Sequence, residues 1–308
     1  MEAEISVQIP AKDPPREAFQ TTLDCLRRQE TGGRPWELVI VDDGSEVPVR
    51  ERFDLTFPGN VSVKLEETGR PSGRATARNL AWRSSAAPIS LMMDADLASE
   101  PDLLRRHLRD HGEEGWDVVM GARVNAWREN ASSWERWCDG RAMDHLPPGP
   151  FPWRYFITGN ISVPRRMMEE TGGFDTNIVL YGGEDTELGL RLKKLGVSLF
   201  WDPEIRVRHL DHVPLRRHLG RLVDYGKTGL RYILEKHPEA RTLLGSHWVV
   251  GPARGAIVLW RPLVRLTLLR PVYRSVLRWM ERVGRPGFLF TYLSVGAHLM
   301  GLLDRDFR

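Results

Sequence analysis

The stretch ISLMMDAD, residues Ile89 to Asp96, joins a mainly apolar strand pattern directly to two carboxylates. A short apolar run of this kind is typical of a strand buried in a sheet. Because side chains alternate along a strand, Asp94 and Asp96 point to the same side if the strand continues through them. Carboxylate oxygens suit a divalent cation that carries a diphosphate. The stretch therefore predicts a metal and diphosphate site at the open edge of a sheet.

Strand and helix patterns alternate through the first two hundred residues around this stretch. Strands are predicted at Ile5–Ile9, Trp36–Val41, Val61–Leu65, Ile89–Met93 and Trp116–Gly121. Helices are predicted at Arg16–Gln29, from Gly73 to about Ser84, and at Pro101–His111. The alternation predicts an α/β fold with a Rossmann-like, mostly parallel sheet and flanking helices.

Composition limits the class of protein. The chain has 308 residues, 41% of them hydrophobic, which fits one α/β domain with an appendage. A net charge of +3 does not indicate wholesale nucleic-acid binding. Two isolated cysteines, the acidic start of the chain and the lack of an apolar run of spanning length predict a reduced, cytoplasmic setting.

The last third of the chain differs in character, so we expect a domain at 1–212 and a basic helical region at 213–308. From Gly251 onward there are ten arginines against three acidic residues. Four of them recur every fourth residue and share one helical face. They are Arg270, Arg274, Arg278 and Arg282. Together with the nearby apolar stretch from Phe288 to Leu303, this basic face predicts that the protein binds peripherally to the inner surface of an anionic membrane. The alternative is packing against the domain or a second subunit in a homodimer.

The segment from Asn125 to Phe156 breaks the alternation with tryptophans and prolines. A long loop in a compact domain is usually functional or disordered, and its aromatic content argues against disorder. Aromatic faces stack on sugars, so the segment predicts much of an acceptor wall that includes Trp153. The alternative is that these rings only pack against the sheet.

A second acidic pair, Glu184 and Asp185, follows Gly182 and Gly183 at the start of an amphipathic helix pattern. The helix dipole favours an ionised acid in the first turn, ready to accept a proton. Two adjacent acids exceed what capping requires, and the glycines permit close approach of a ligand. The pair predicts a general base, with helix capping as the alternative.

Six motifs in order give the sequence a resemblance to the family 2 glycosyltransferases of GT-A fold over about residues 4 to 212. The motifs are Ile9-Pro10, Val41-Asp42-Asp43-Gly44-Ser45, Gly73-x-x-x-Ala77-Arg78-Asn79, Asp94-Ala95-Asp96, Gly172-Gly173-Phe174-Asp175 and Gly183-Glu184-Asp185-x-Glu187-Leu188. The Gly-Gly-Glu-Asp segment with a later histidine also resembles the β-1,4-galactosyltransferases.

On the donor side, the resemblance implies a nucleotide site and a metal site. Donor-binding residues would be Pro10, Asp42, Asp43, Arg78, Asp94 and Ala95. One carboxylate of the Asp42-Asp43 pair would accept the uracil N3–H while its neighbour caps the next turn. Asp96 and His209 would bind Mn²⁺ or Mg²⁺, and Mn²⁺ fits an imidazole nitrogen better. His212 is a weaker competitor for that place.

On the acceptor side, the resemblance makes Asp185 the catalytic base and gives Glu184 the task of orienting the acceptor. Asn160, in the Thr158-Gly159-Asn160 strand start, would also face the acceptor. The sequence after Pro10 departs from the family pattern, which puts base and ribose contacts at Ala11 in doubt. The Q-x-x-R-W motif of processive members is absent, which favours single addition.

These observations predict a metal-dependent, inverting glycosyltransferase. It would move one sugar from a UDP-sugar to a small-molecule or membrane-associated acceptor. A nucleotidyltransferase of similar fold is the alternative enzyme, but Pro10-Ala11-Lys12-Asp13 is a poor phosphate loop. The alternative without catalysis is a nucleotide-sugar-binding scaffold.

Overall fold

A computed structural model of the protein describes residues 2–125, 127–139, 143, 146–179 and 181–308. The described residues form two compact units. The first consists of Met1–Glu129, Asp139–Thr176 and Asp185–His212, and the second of Asn130–Cys138, Asn177–Glu184 and Val213–Arg308. Two short segments that we expected in the first domain, 130–138 and 177–184, therefore belong to the second unit.

Nine strands, found among the described residues, make one sheet in the first unit. They are β1 (Ile5–Ala11), β2 (Trp36–Asp42), β3 (Val61–Glu67), β4 (Ile89–Met93), β5 (Leu97–Ser99), β6 (Val118–Val124), β7 (Gly149–Pro150), β8 (Asn160–Pro164) and β9 (Leu199–His209). Their order is β3-β2-β1-β4-β8-β6-β9-β5, and β7 pairs with β9.

Helices alternate with these strands along the chain. Those that begin before residue 200 are α1 (Arg16–Arg27), α2 (Val49–Arg52), α3 (Arg74–Ser84), α4 (Leu103–Gly112), α5 (Ser133–Asp139), α6 (Arg165–Thr171) and α7 (Glu184–Lys194). The apolar side of α1, with Phe19 and Leu23, packs into the same core as Ile5 and Ile9 of β1. Apolar residues spaced three or four apart place one face of α1 on the sheet.

The sheet is mixed. β3, β2, β1 and β4 run parallel, as the alternation predicts, and β6 runs parallel to β9. β8 is antiparallel to both β4 and β6, and β5 and β7 are antiparallel to β9. The predicted α/β architecture is confirmed, and parallel pairing dominates only its first half.

The second unit is helical and has its own core. Its further helices are α8 (Leu215–Lys227), α9 (Gly229–Lys236), α10 (Ala256–Thr267), α11 (Arg270–Val283) and α12 (Phe288–Leu302). Buried side chains of α8, α11 and α12 meet in this core, including Val223, Leu277 and Leu293. A Cβ atom at Gly226 would lie 2.0 Å from the His298 carbonyl oxygen, so glycine is what allows α8 and α12 to touch.

The apolar segment from Phe288 onward is therefore a core helix of the second unit. Phe290, Leu293 and Met300 are buried against their neighbours. Because these side chains are buried, the segment no longer supports the membrane contact that was predicted partly from it. In the part of the chain that the structure describes, no helix has the length and hydropathy to cross a bilayer.

Candidate active site

The parallel strands bring three acidic positions to one edge of the sheet. Ala11 pairs with Asp42 across β1 and β2, and Gln8 pairs with Met92 across β1 and β4. The carboxyl ends of these strands therefore lie side by side, and Asp43 and Asp94 follow directly after them. Ligands of open α/β sheets bind outside such strand ends.

The Asp42 carboxylate anchors the turn that follows it. Its Oδ1 accepts a hydrogen bond from the Ser45 amide (2.9 Å), and its Oδ2 accepts one from the Val49 amide (2.9 Å) at the start of α2. Asp42 is 4% exposed. The capping role expected of one member of the pair thus belongs to Asp42.

The Asp43 carboxylate holds the loop before α3. Oδ1 accepts hydrogen bonds from the Ser72 amide (2.8 Å) and hydroxyl (2.6 Å), and Oδ2 accepts one from the Gly73 amide (3.1 Å). A carboxylate oxygen has two acceptor sites, so one lone pair of Oδ2 remains for a further donor. Base recognition by Asp43 stays a prediction on this geometry.

Asp94 lies between two arginines. Arg78 of α3 donates from Nη2 to Asp94 Oδ1 at 3.1 Å, and Arg123 Nη1 lies 3.5 Å from Asp94 Oδ2. The Arg78 side chain is 5% exposed, whereas that of Arg123 is 38% exposed. Arg78 is among the residues predicted from the sequence, whereas Arg123 is not; Arg123 comes from β6, on the far side of β8 from β4.

Asp96 faces His209. The strand ends at Met93 and turns through Ala95, so Asp94 and Asp96 do not continue one strand and meet different partners. Leu97 pairs with His209 across β5 and β9, which brings His209 Nε2 to 3.2 Å from Asp96 Oδ2.

The backbone around Asp96 is fixed from both sides. The Thr22 hydroxyl accepts a hydrogen bond from the Leu97 amide (3.1 Å), and the Ala18 and Ala95 carbonyl oxygens lie 3.1 and 3.2 Å from it. The Leu210 amide donates to the Asp96 carbonyl at 2.8 Å. These contacts fix the backbone from which the Asp96 carboxylate extends. The Ala95 carbonyl faces Thr22 within the protein.

The environment keeps the Asp96 carboxylate ionised. Burial raises its pKa, but the hydrogen bond and charge of His209 and the charge of Arg123 outweigh burial and lower it. A six-coordinate cation about 2.1 Å from each ligand atom separates neighbouring ligands by about 3.0 Å. The 3.2 Å spacing of Asp96 and His209 fits that geometry.

The metal-binding role of Asp96 and His209 stays a prediction. Over the described ranges, no group of three or more His, Cys, Asp or Glu side chains is arranged to hold a metal ion. His212 Nδ1 lies 3.4 Å from Nη2 of Arg128, and a competing role for His212 stays a prediction. The geometry thus singles out His209 as the imidazole beside Asp96.

Asp185, in the first turn of α7, is held by Thr158. Its Oδ2 accepts from the Thr158 amide (3.1 Å) and its Oδ1 from the Thr158 hydroxyl (3.0 Å). The next residue, Gly159, bridges to Met93, and a Cβ atom there would lie 3.1 Å from Asp94 Oδ2. Thr158 and Gly159 therefore connect Asp185 on α7 with Asp94, which follows β4.

Two predicted acceptor contacts are corrected by burial. Asn160 is 3% exposed, and its amide is used by His107, by the Ala122 carbonyl and by the Ile205 carbonyl. Trp153 is 7% exposed and its carbonyl packs against α7 at Gly189. Neither side chain is placed to meet an acceptor, because both fill the interior.

The glycines before Glu184 serve packing within the second unit. A Cβ atom at Gly183 would lie 3.2 Å from Cα of Gly229 and 3.3 Å from the Tyr225 ring, at a φ of +108°. We expected a ligand to approach here, whereas a helix does. Glu184 is 3% exposed, and its acceptor-orienting role stays a prediction.

One tryptophan of the predicted acceptor wall lies beside His209. Trp127 is 44% exposed, and its Nε1 donates to the His209 carbonyl at 2.9 Å. Trp134 and Trp137 instead stack on each other in the second unit, with ring centroids 5.1 Å apart, and both contact Phe290. The acceptor wall stays a prediction, and Trp127 is the exposed one of these three tryptophans.

Another motif proves to be structural. The Asn79 side chain donates to the Phe174 carbonyl (2.8 Å) and accepts from the Phe174 amide (2.8 Å). A Cβ atom at Gly173 would lie 2.3 Å from Asn79 Oδ1. The Gly172-Gly173-Phe174 turn therefore fastens α3, which carries Arg78 toward Asp94.

Comparison with solved structures defines the class. The chain aligns over 99% of its length with the mannosyltransferase PcManGT from Pyrobaculum calidifontis in complex with GDP-Man and Mn²⁺. The alignment covers 89% of that chain, with a TM-score of 0.58 and 19% identity. At this identity the likeness shows the fold alone, and that fold is GT-A.

Sequence comparison gives the family. The description "Glycosyl transferase family 2" matches residues 6–174, and "N-terminal domain of galactosyltransferase" matches residues 142–214. Because the first match covers more than half of the chain, the protein belongs to glycosyltransferase family 2 and is a glycosyltransferase. The predicted family is confirmed.

Two curated relatives show how far the similarity extends. The uncharacterized glycosyltransferase YfnE of Bacillus subtilis is 26% identical over 290 residues, which cover 77% of this chain and 71% of the relative. Validoxylamine A glucosyltransferase of Streptomyces hygroscopicus subsp. limoneus is 28% identical over 226 residues, 63% of this chain and 49% of its own length. The chain thus spans about half of that second relative.

Proposed function

We propose that this protein is a divalent-metal-dependent, inverting glycosyltransferase. It transfers one sugar from a UDP-sugar to a hydroxyl or amine of a small-molecule or membrane-associated acceptor. The observation that carries this proposal is the pairing of Asp96 with His209 at 3.2 Å, at the sheet edge where Asp94 also lies. Family membership supports the transfer of a sugar from a nucleotide.

Asp96 and His209 would hold the cation. A carboxylate oxygen and an imidazole nitrogen suit Mn²⁺ better than Mg²⁺, and the Mn²⁺ named with PcManGT supports that choice. The remaining ligands would be diphosphate oxygens and water, because two protein ligands leave the site open. When bound, the cation supplies charge neutralisation for the departing nucleotide diphosphate.

Asp94 would contact the ribose, oriented by Arg78 and Arg123. Arg78 is buried and forms an ion pair with Asp94, so its role would be to position that carboxylate. Arg123 is more exposed and lies beside Asp94, and its charge lowers the pKa of Asp96, so its guanidinium would also contact a bound diphosphate.

Asp185 would act as the general base. It accepts the proton of the acceptor hydroxyl while that oxygen bonds to the anomeric carbon. The bond from the anomeric carbon to the diphosphate oxygen breaks, and UDP leaves with the electron pair. A single displacement of this kind inverts the anomeric centre. Its position in the first turn of α7 favours the ionised form that a base requires.

The test is nucleotide binding measured by calorimetry, with UDP and GDP each titrated with and without Mn²⁺. We expect UDP to bind only with metal, and Asp96→Ala and His209→Ala to lose that binding. Asp24→Ala, which removes an aspartate on the outside of α1, is the matched control and should bind as the native protein does. Equal UDP affinity in EDTA would contradict the metal site, and preference for GDP would contradict the choice of donor.

A further inference from the structure

Helix α10 presents its apolar side to solvent. No residue of Ala256–Thr267 is buried, although the sequence AIVLWRPLVRLT is mostly apolar. Leu259, Pro262, Leu263 and Leu266 fall at intervals of three and four residues and so share one face. The leucines are 79%, 48% and 54% exposed, and Trp260 beside them is 54% exposed. A surface helix normally turns such a stripe toward the core, so this one marks an interaction surface.

Hydrogen bonds fix which side of α10 faces the protein. Arg261 donates to the carbonyls of His247 and Gly251 at 2.7 and 2.8 Å. Arg265 donates to the Val249 carbonyl at 3.0 Å. Two arginines therefore anchor the inner face to the segment before the helix. The leucine stripe therefore faces outward, and the helix that carries it is held against rotation about its axis.

The sequence that contains α10 and the next helix is rich in arginine. Between Gly251 and Leu303 the chain has eight arginines and one acidic residue, Glu281. Arg216 forms a double hydrogen bond with Glu281 at 2.5 and 2.7 Å, which neutralises this single acid. Arg278 and Arg282 of the neighbouring helix α11 are exposed, and the described contacts give neither of them a carboxylate partner.

The basic face predicted from the sequence is therefore only partly available. Arg274 donates to the Phe307 carbonyl at 2.5 Å, and Arg270 donates to the Arg308 carbonyl. Both guanidinium groups help to hold the chain end in place. Arg278 and Arg282 remain, and the apolar part of the surface comes from α10 and not from the buried helix α12.

We propose that α10 docks on an anionic lipid bilayer. The stripe of Leu259, Leu263 and Leu266 with Trp260 would enter the interface, and Arg278 and Arg282 of α11 would meet lipid phosphates. An exposed apolar stripe flanked by arginines has the two features that bind peripheral helices to anionic membranes. A second copy of the chain is a poorer occupant, since it would bring two surfaces of the same positive charge together.

The experiment is co-sedimentation of the full chain with vesicles, without any substrate, so its outcome is independent of the proposed transfer reaction. Vesicles of phosphatidylcholine alone are compared with vesicles in which about 30% of the lipid is phosphatidylglycerol. We expect binding only to the anionic vesicles, and a loss of most of it when salt is raised to several times the physiological concentration.

Three variants identify the surface. Leu259→Ser combined with Leu263→Ser and Leu266→Ser should reduce the bound fraction by about tenfold or more, because it removes the inserted apolar area. Arg278→Ala with Arg282→Ala should weaken binding on the order of tenfold. Leu195→Ser is the matched control, since Leu195 is an equally exposed leucine of the first unit and should leave binding unchanged.

Circular dichroism of each variant shows whether the fold is kept. The stripe residues are exposed, so the serine substitutions should preserve the spectrum. Absence of native binding to anionic vesicles, or equal binding by the triple-serine variant, would overturn the proposal. So would a native dimer in light scattering that the triple-serine variant converts to a monomer, because the occupant would then be a second copy.

Discussion

Thr158 joins the Asp185 carboxylate through two groups at once, its amide at 3.1 Å and its hydroxyl at 3.0 Å. Both donors come from one residue, and the next residue, Gly159, packs against Asp94. The proposed base is therefore held on the same backbone segment that borders the donor-side acid. A short rigid link of this kind keeps reacting groups in register, which is where much of the rate advantage of an active site arises.

Removal of the Thr158 hydroxyl should slow transfer without weakening the donor complex. Thr158→Val keeps the shape and the amide hydrogen bond but loses one of the two contacts that orient Asp185. We expect kcat to fall by about tenfold, with UDP affinity unchanged, as when a general base is displaced from its best geometry. Steady-state kinetics and calorimetry measure the two effects separately.

Thr158→Ser is the control for this effect, because it restores the hydroxyl. It should recover most of the rate. If the serine and valine variants are equally slow, the hydroxyl is not what positions Asp185.

Removal of the carboxylate itself should stop transfer. Asp185→Asn can still accept hydrogen bonds from Thr158 but cannot take a proton from the acceptor. We expect a loss of roughly 10²-fold or more in kcat with UDP-sugar binding kept, as is typical when a general base is removed. Glu187→Gln is unsuitable as a control because Glu187 is fully buried and bonded to Arg191, so Asp24→Ala serves again. Turnover near the native value in Asp185→Asn would remove Asp185 from this role.

Local patterns made the parallel half of the fold predictable. The strand Ile89–Met93 begins and ends where its apolar run does, and the helix after Gly73 ends at Ser84 as expected. Strand and helix periodicity depend on neighbouring residues, which a sequence displays directly. The antiparallel half could not be predicted in this way, because β5 has three residues and β7 two, too few for a pattern to appear.

The residues of the candidate site also divide into those that a local pattern reveals and those that depend on pairing between distant segments. Asp94 and Asp96 were identified because they follow a strong strand signal. Arg123 was missed, and Thr158 was named only as part of a strand start, since each meets its partner only through pairings between distant segments. No spacing in the sequence reports that pairing. Asn160 shows the opposite error, because a polar residue at a strand start looks accessible until the sheet places it beside His107.

Arg123 offers a test of a residue that only the structure identifies. Arg123→Gln removes a positive charge 3.5 Å from Asp94 at the edge where the diphosphate would bind. We expect donor KM to rise by about tenfold with a smaller change in kcat, as expected for the loss of one partly exposed charge contact. Initial rates over a range of UDP-sugar concentrations measure both constants.

Arg123→Lys is the matched variant and should recover part of the affinity through its charge. Arg166→Gln removes an arginine that pairs with Asp117 and should leave donor KM unchanged. A native donor KM in Arg123→Gln would mean that this guanidinium does not meet the donor.

Buried imidazoles should make the protein unstable in mild acid. Burial lowers the pKa of His107 to about 3, that of His111 to about 4 and that of His298 to about 4, from an ordinary value of 6.5. Below pH 6.5 the unfolded chain binds these protons and the folded chain does not, so stability falls as pH falls. Burial raises the pKa of Asp110 to about 6, and this single group works in the opposite direction. The three imidazoles outweigh it, which predicts a loss on the order of 1 kcal/mol or more per pH unit between pH 6 and about 4.5.

Thermal unfolding at pH 7.5, 6.0 and 5.0 measures this effect, and His298→Leu tests its origin. His298 is a half-buried residue of α12 in the second unit, where leucine fills similar space without a proton-binding group. The variant should lose less stability between pH 7.5 and 5.0 than the native chain, while His212→Gln, at an outer position, should follow the native curve. Midpoints that do not change between pH 7.5 and 5.0 would show that the folded chain accepts these protons, and the buried imidazoles would then be less isolated from water than their packing indicates.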